Sequence, residues 1–106
     1  MMREVTAIIR ASKFDDVQEA LNAIGVEFFV FYDVKGVTFT KEQKGSYRGA
    51  SILDASAISR RKIEITVPDV DVDEVVATIK KAAHSGVAGD GKIFVKDVLS
   101  HTRISI

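Results

Sequence analysis

Four stretches of the chain carry the hydrophobic patterns that predict β-strands. Residues 4–9 and 61–67 alternate between apolar and polar side chains, which is typical of strands with one buried face. Residues 26–36 and 92–98 are rich in aromatic and β-branched side chains, as strands usually are. The final residues, 101–106, could form a short fifth strand.

Two stretches with a helical repeat lie between these strands. The first helix is expected to follow Ser12, whose hydroxyl can cap it, and to end at Gly25. The second is expected to open at Asp71, after Pro68 ends a strand, and to close at Gly86. The apolar residues at steps of three or four, which share one face of each helix, are Phe14, Val17, Leu21 and Ile24 in the first and Val72, Val75, Val76, Ile79 and Ala83 in the second.

The order strand–helix–strand occurs twice, and it predicts a single α+β domain over residues 1–106 with the ferredoxin-like βαββαβ arrangement. Residues 37–59 separate the second and third strands, which is far more than the ~2–5 residues of an ordinary hairpin. The tip of this segment, residues 41–49, is polar and contains glycine. A mobile hairpin without a role is one explanation, and a loop that binds a ligand or a protein partner is the one that we favour.

Charge and composition narrow the class of protein. Lysine plus arginine and aspartate plus glutamate both total 15, so a protein that coats nucleic acid or an anionic membrane is not expected. There is no cysteine, which excludes disulfides and thiolate sites. No signal peptide or membrane-spanning run is recognisable, so a cytoplasmic protein without membrane insertion is expected. His84 and His101 lack metal-ligand spacing and no grouping of catalytic side chains is recognisable, so we expect neither a metal site nor an enzyme.

Residues 86–92, with the sequence GVAGDGK, are the strongest candidate for ligand chemistry. Gly89 and Gly91 would allow successive backbone N–H groups to converge on an anion, and Lys92 adds a positive charge. The segment lacks the spacing of a Walker motif, and it precedes a strand rather than a helix. On these residues alone, a plain turn is the simpler explanation and a phosphate-binding loop is the alternative.

Aromatic residues crowd the second predicted strand at Phe28, Phe29, Phe31 and Tyr32. RNA-recognition domains also display aromatic rings on a ferredoxin-like sheet, but they do so on defined strands and with a basic surface. Here the rings occupy neighbouring positions of one strand and the charge is balanced. We therefore expect these rings to pack in the core and between subunits, and we expect no nucleic-acid partner.

Three segments together resemble the PII signal-transduction proteins. The sequence AIIRASKFDDVQEAL is similar to the opening of that family, YRGAS to its long T-loop and GDGKIFV to its nucleotide loop. The order and spacing agree across nearly the whole chain. The resemblance implies a homotrimeric sensor rather than an enzyme, with ATP or ADP bound in clefts between subunits. It also implies that 2-oxoglutarate with Mg-ATP changes how the T-loop, here residues 37–59, fits an enzyme or an ammonium channel.

The resemblance assigns ligand-binding roles to individual residues. The residues that match nucleotide-binding positions are Ile8, Gly36, Thr66, Gly89, Asp90, Gly91, Lys92 and Arg103. Of these, residues 89–92 match the phosphate-binding loop, and Arg103 matches an arginine that reaches the phosphates across the subunit boundary. Gly36, with Lys35, matches the base of the T-loop. Ile8 and Thr66 match positions that line the nucleotide cleft.

Further matches concern the T-loop itself. Gln43 and, just beyond the loop, Arg60 match positions that bind the effector 2-oxoglutarate. The residues that match partner-binding positions are Lys44, Tyr47, Arg48 and Ser51. Ile52 stands where some members carry a tyrosine that is uridylylated, so this modification is not expected.

Three departures from the family pattern leave the preferred ligand open. Phe28 and Val30 replace a glycine and a threonine near the adenine, and Ser105 replaces a second arginine, whose charge-assisted phosphate contact is worth about 1.5–3 kcal/mol. The first interpretation is an ATP/ADP sensor that responds to 2-oxoglutarate and controls a transporter or a metabolic enzyme. One alternative is a sensor of ADP or AMP with a metabolite such as bicarbonate in carbon uptake. The other is a structural or metal-tolerance trimer that binds no nucleotide.

Overall fold

The structure, a computed structural model, describes residues 1–36 and 59–105. Its helices and strands are β1 (Met2–Arg10), α1 (Phe14–Ala23), β2 (Val30–Lys35), β3 (Ser59–Pro68), α2 (Val72–Ala83) and β4 (Gly91–Asp97). The four strands form one antiparallel sheet in the order β2-β3-β1-β4. With one helix after β1 and one after β3, this arrangement confirms the predicted ferredoxin-like α+β fold.

One hydrophobic core lies between the sheet and the two helices. The buried residues are Val5, Ala7, Ile9, Ile63, Ile65 and Val67 from β1 and β3, and Phe14, Val17, Leu21, Val75, Ile79 and Ala83 from the helices. The strand residues in this core are all odd-numbered, because side chains alternate along a strand. The even-numbered residues, among them Ile8, Lys62 and Thr66, lie on the opposite face of the sheet.

The start of the first helix differs from the prediction, whereas the second helix has Asp71 at its N-terminal flank as predicted. A 3₁₀ turn, Ala11–Lys13, precedes α1, and Lys13 rather than Ser12 occupies the N-terminal flank of the helix. The predicted Ser12 cap is wrong, since α1 has no side-chain hydrogen bond at its cap. α2 likewise follows a 3₁₀ turn, Asp69–Asp71. Acidic residues in the first turn of each helix favour the helix start by their charge instead.

β2 is shorter than the predicted strand over residues 26–36. It begins only at Val30, because the preceding backbone completes the end of α1. The Val26 N–H donates to the Leu21 carbonyl oxygen at 3.1 Å, and Gly25 turns the chain with φ 91°. The prediction that α1 stops at this glycine is confirmed.

Two further boundaries of the strands also differ from the prediction. Ser59 pairs with Lys35 in the sheet, so the last residue of the predicted loop 37–59 belongs to β3. Residues 101–105 contain no strand, and the predicted fifth strand is wrong over that range.

Arg3 forms two ion pairs at the end of the sheet that lies farthest from Lys35 and Ser59. Its guanidinium donates to Asp69 Oδ1 at 2.5 Å and to Asp97 Oδ1 at 2.7 Å. Within residues 1–36 and 59–105, none of the helices has the length and apolar composition to cross a bilayer.

Candidate functional site

The strand register brings most of the predicted ligand-binding residues to one end of the sheet. Ile8 pairs with Lys92, and Arg10 pairs with Arg60. Gly36 lies against the Arg60 side chain, whose Nε would be 3.6 Å from a Cβ added to that glycine. We call this group, made of Ile8, Arg10, Gly36, Arg60 and residues 89–92, the arginine corner.

The loop that enters β4 approaches β1 so closely that only glycine fits at position 91. A Cβ on Gly91 would be 1.9 Å from the Ile8 carbonyl oxygen, and the residue has φ 133°, which L side chains rarely adopt. Gly89 also has a positive φ, 91°. The two glycines therefore hold the backbone of residues 89–92 in a conformation that larger residues would not permit.

The Asp90 carboxylate holds the loop before β4 together through hydrogen bonds. Its Oδ2 accepts the backbone N–H of Ser85 at 2.8 Å, and its Oδ1 contacts the Ser85 hydroxyl and accepts from Arg10 Nε at 3.1 Å. The Ser85 Oγ in turn accepts the Val87 N–H at 3.1 Å. Both carboxylate oxygens of Asp90 are thus directed into the loop, which suits a residue that shapes the loop better than one that contacts a phosphate.

Arg10 belongs to the site and was not predicted from the sequence. Besides its bond to Asp90, its Nη2 donates to the Ala88 carbonyl oxygen at 3.0 Å. The guanidinium therefore joins the end of β1 to the loop before β4. Its position at the polar end of a predicted strand was the only signal in the sequence, and its partners came into view only with the pairing of β1 and β4.

Arg60 is the least satisfied cation of the arginine corner. The residue is only 7% exposed, and its Nη1 is buried without a hydrogen-bond partner among the described residues. Burial lowers the pKa of the guanidinium, Arg10 lowers it further by repulsion, and Asp90 opposes both effects. A buried guanidinium nitrogen without an acceptor favours binding of an anion beside it.

The stability of the loop is expected to depend on the charge of Asp90. The Ser85 hydroxyl, the Ser85 N–H and then Arg10 hold the pKa of the Asp90 carboxyl well below its usual range. In the unfolded chain this carboxyl takes up its proton near the ordinary pKa of about 3.9. Its contribution to folding is therefore complete above that pH and is lost as the pH falls below it.

Urea unfolding of the wild type and of the Asp90→Asn variant measures this contribution. At about pH 6 we expect the wild type to have the higher free energy of unfolding, and we expect the difference to shrink at about pH 3. A difference that is the same at both pH values would contradict a role for the carboxylate charge.

Thr66 and Arg103 lie in a different place from the arginine corner. Both line a cavity of about 620 Å³, together with Phe28, Val30 and Glu64, which we call the Phe28 cavity. Thr66 pairs with Glu4, which is four residues from Ile8 along β1, or about 13 Å at 3.3 Å per residue. Among the described residues, the predicted nucleotide-binding residues therefore lie on two separate surfaces, the arginine corner and the Phe28 cavity.

The aromatic residues have three different environments. The Phe29 and Phe31 rings lie with their centroids 6.3 Å and 4.6 Å from that of Phe14. Phe29 packs against the core as predicted, whereas Phe31 is 47% exposed. The Tyr32 hydroxyl donates to Glu64 Oε2 at 3.1 Å on the other face of the sheet. Phe28 is 77% exposed and does not pack in the core, so packing between subunits stays the prediction for this ring.

Other predicted residues fall outside the described part of the chain or away from a metal site. Gln43, Lys44, Tyr47, Arg48 and Ser51 lie outside the described residues. In residues 1–36 and 59–105, no group of histidine and acidic side chains is placed to hold a metal ion.

Known proteins share both the sequence and the fold. The profile of the family described as nitrogen regulatory protein P-II matches residues 2–106. The Escherichia coli K12 protein named nitrogen regulatory protein P-II 1 is 44% identical over 103 residues, which are 97% of this chain and 91% of that protein. The protein named nitrogen regulatory protein GlnK from the same strain is 39% identical over 103 residues, again 97% of this chain and 91% of that protein. A crystal structure of Arabidopsis thaliana PII bound to citrate has a TM-score of 0.70 at 33% identity, covering 92% of this chain and 77% of that one.

Proposed function

Because the chain belongs to the nitrogen regulatory protein P-II family of signal-transduction regulators, we propose that it binds ATP or ADP at sites shared between the subunits of a homotrimer. The observation that carries this proposal is the division of the predicted nucleotide-binding residues between the arginine corner and the Phe28 cavity. A second copy that presents its Phe28 cavity to the arginine corner of the first would complete each site.

In such a site the arginine corner supplies the phosphate-binding groups. The backbone N–H groups of residues 89–92 and the Lys92 ammonium take the phosphates, and Arg103 of the neighbouring copy approaches from the other side. Arg10 and Arg60 add positive charge, of which Asp90 neutralises part through its bond to Arg10. A triphosphate or a diphosphate with its magnesium ion suits this excess of cations.

A carboxylate effector has a natural place beside the phosphates. The buried Nη1 of Arg60 has no partner among the described residues, and a carboxylate such as that of 2-oxoglutarate would satisfy it. The citrate bound by the Arabidopsis relative is consistent with this proposal, because it is also a carboxylate anion. Gln43 is the loop residue that we expect to join Arg60 at the effector.

The regulatory output is proposed to pass through residues 37–59. Lys35 and Ser59 pair at the base of this segment, and Gly36 lies against Arg60. A ligand held by Arg60 is therefore adjacent to the base of the loop, and each ligand would favour the loop conformation that it contacts best. The partner that reads this conformation is a membrane transporter or a metabolic enzyme, and the protein itself is a regulator rather than an enzyme.

A second candidate is a sensor of ADP or AMP with another small anion such as bicarbonate. The observation that favours it is the low number of cations at the Phe28 cavity, which only Arg103 lines among the arginines and lysines of the described residues. A nucleotide with a short phosphate chain needs fewer positive charges around it. A site with few cations would therefore weaken the binding of ADP or AMP less than that of ATP.

Calorimetric titration of ATP, ADP and AMP, with and without magnesium, 2-oxoglutarate and bicarbonate, separates these functions. Binding of ATP or ADP that 2-oxoglutarate alters supports the first proposal. Binding of ADP or AMP that responds to bicarbonate alone supports the second. The absence of nucleotide binding, with no change in thermal stability, would contradict both and would favour a structural trimer.

Mixed trimers test whether each site is shared between copies. Lys92→Ala and Arg103→Ala alter different halves of the proposed site, so each pure variant should bind ATP weakly at all sites. Trimers that contain both variants can be isolated with two affinity tags after co-expression. They should recover about one site in three, because at one interface an intact Lys92 of one copy meets an intact Arg103 of the next. Mixed trimers that bind no better than the pure variants would show that the two residues do not meet in one site.

A further inference from the structure

Phe28 is an aromatic residue that stacks on no other ring among residues 1–36 and 59–105. Its neighbours Phe29 and Phe31 lie beside the Phe14 ring, whereas Phe28 is 77% exposed. The backbone explains this difference, because residues 26–29 lie outside β2 and follow the end of α1. Phe28 is thereby placed at the Phe28 cavity rather than in the core.

The Phe28 cavity has the size of a small-molecule site and an acidic lining. Its volume of about 620 Å³ lies within the range of about 300–1,000 Å³ that is common for ligand pockets. Apolar side chains line it together with carboxylates, and Arg103 is its one basic residue among the described residues. The acidic residues that line it are Glu4, Glu27, Glu64, Asp71 and Glu74.

The charges of the cavity decide how a nucleotide would lie in it. Carboxylates repel phosphate groups, whereas they accept hydrogen bonds from the amino groups of a base. Glu64 is held in place by the Tyr32 hydroxyl at 3.1 Å and lies 3.9 Å from Lys62 Nζ. The base therefore belongs in the cavity, and the phosphates belong near Arg103 and outside it.

We propose that Phe28 is the stacking platform for the nucleotide base and the residue that selects purines over pyrimidines. This inference rests on the proposed nucleotide-binding function and specifies its base-binding half. Val30, which also lines the cavity, has no polar side-chain atom to read the base edge, so the flat face of Phe28 carries the selection. A purine offers a larger face to the ring than a pyrimidine does, so it gains more from stacking.

Calorimetric titration of the Phe28→Ala variant tests the stacking. Loss of an aromatic platform should weaken ATP binding by about 5- to 100-fold. Binding of inorganic tripolyphosphate should not change, because it has no base to stack. The preference of the wild type for ATP over CTP should shrink in the variant by a smaller factor, because the pyrimidine also stacks on the ring, and Phe28→Trp should restore it.

A control variant and the pattern of affinity losses distinguish a failure of the stacking role from a failure of the proposed nucleotide-binding function. Val70→Ala removes another exposed apolar side chain, 87% exposed and outside the cavity, and should leave all affinities unchanged. If the wild type binds ATP and Phe28→Ala binds it equally well, or loses ATP and tripolyphosphate affinity alike, the stacking role is wrong while the proposed function stands. If the wild type binds no nucleotide, both are overturned.

Discussion

Replacement of Gly91 by alanine is expected to cost about 3 kcal/mol or more of folding free energy and to abolish nucleotide binding. A Cβ at this position would be 1.9 Å from the Ile8 carbonyl oxygen, which belongs to the backbone of the central strand β1. Neither β1 nor β4 can retreat without breaking the pairing of Ile9 with Gly91 and Ile8 with Lys92. The positive φ of 133° adds strain of its own.

Gly25→Ala is the matched control for this variant. Gly25 also has a positive φ, 91°, but no heavy atom lies within 4 Å of a Cβ built there. This variant should lose only about 1 kcal/mol, from backbone strain alone. Urea unfolding followed by circular dichroism measures both losses, and equal losses in the two variants would show that the close approach of Gly91 to Ile8 does not matter.

The Arg60→Met variant is expected to bind anions about 10- to 100-fold more weakly without becoming less stable. Methionine keeps much of the apolar stem and removes the buried guanidinium, whose Nη1 lacks a partner among the described residues. Removing a buried charge that no acceptor satisfies is neutral or stabilising, whereas hydrogen bonds from a charged group to a ligand are worth about 1.5–3 kcal/mol. Titration with ATP and with ATP plus 2-oxoglutarate measures the affinity.

Arg61→Met is the control variant at the neighbouring position, and it is expected to lose stability rather than anion affinity. The Arg61 guanidinium lies 4.5 Å from the centroid of the Phe14 ring and 5.0 Å from that of Phe31, and its Nε donates to Asp33 Oδ1 at 2.9 Å. Its loss should lower the free energy of unfolding by about 1 kcal/mol and leave anion affinity unchanged. If Arg60→Met loses stability and keeps its affinity, Arg60 is a structural residue.

The central strands and the glycine loop could be predicted from the sequence because their signals are local. Ile63, Ile65 and Val67 alternate with polar residues, and one face of β3 is indeed buried against the helices. The glycines of residues 86–92 likewise predicted a turn or a phosphate-binding loop, and Gly91 proved to need glycine because of its positive φ and its close approach to Ile8.

The arginine corner could not be predicted in the same way, because it depends on the register between strands that are far apart in sequence. Arg10 and Arg60 become neighbours only when β1 and β3 pair as they do, and a shift by one residue would place one of them on the other face. In the part of the chain that the structure describes, Arg60 Nη1 also has no acceptor, which no local pattern shows.

The position of Phe28 shows how tertiary contacts override local preference. Its neighbours are aromatic and β-branched, so propensity predicted a strand from residue 26. The end of α1 uses this backbone instead, through the bond from Val26 to Leu21, and β2 begins four residues later. The prediction of the strand was therefore right in type and wrong in its start.

The pairing of Lys35 with Ser59 has a consequence for how the protein can evolve. Each doubling of the length of a loop adds only about 0.6 kcal/mol to the entropic cost of joining its ends. Insertions and deletions between these two residues would therefore cost the sheet little, whereas Gly91 cannot accept even one more carbon atom. Selection can rewrite the segment that we propose meets the partner while the ligand-binding frame stays fixed, so that one scaffold can acquire new targets.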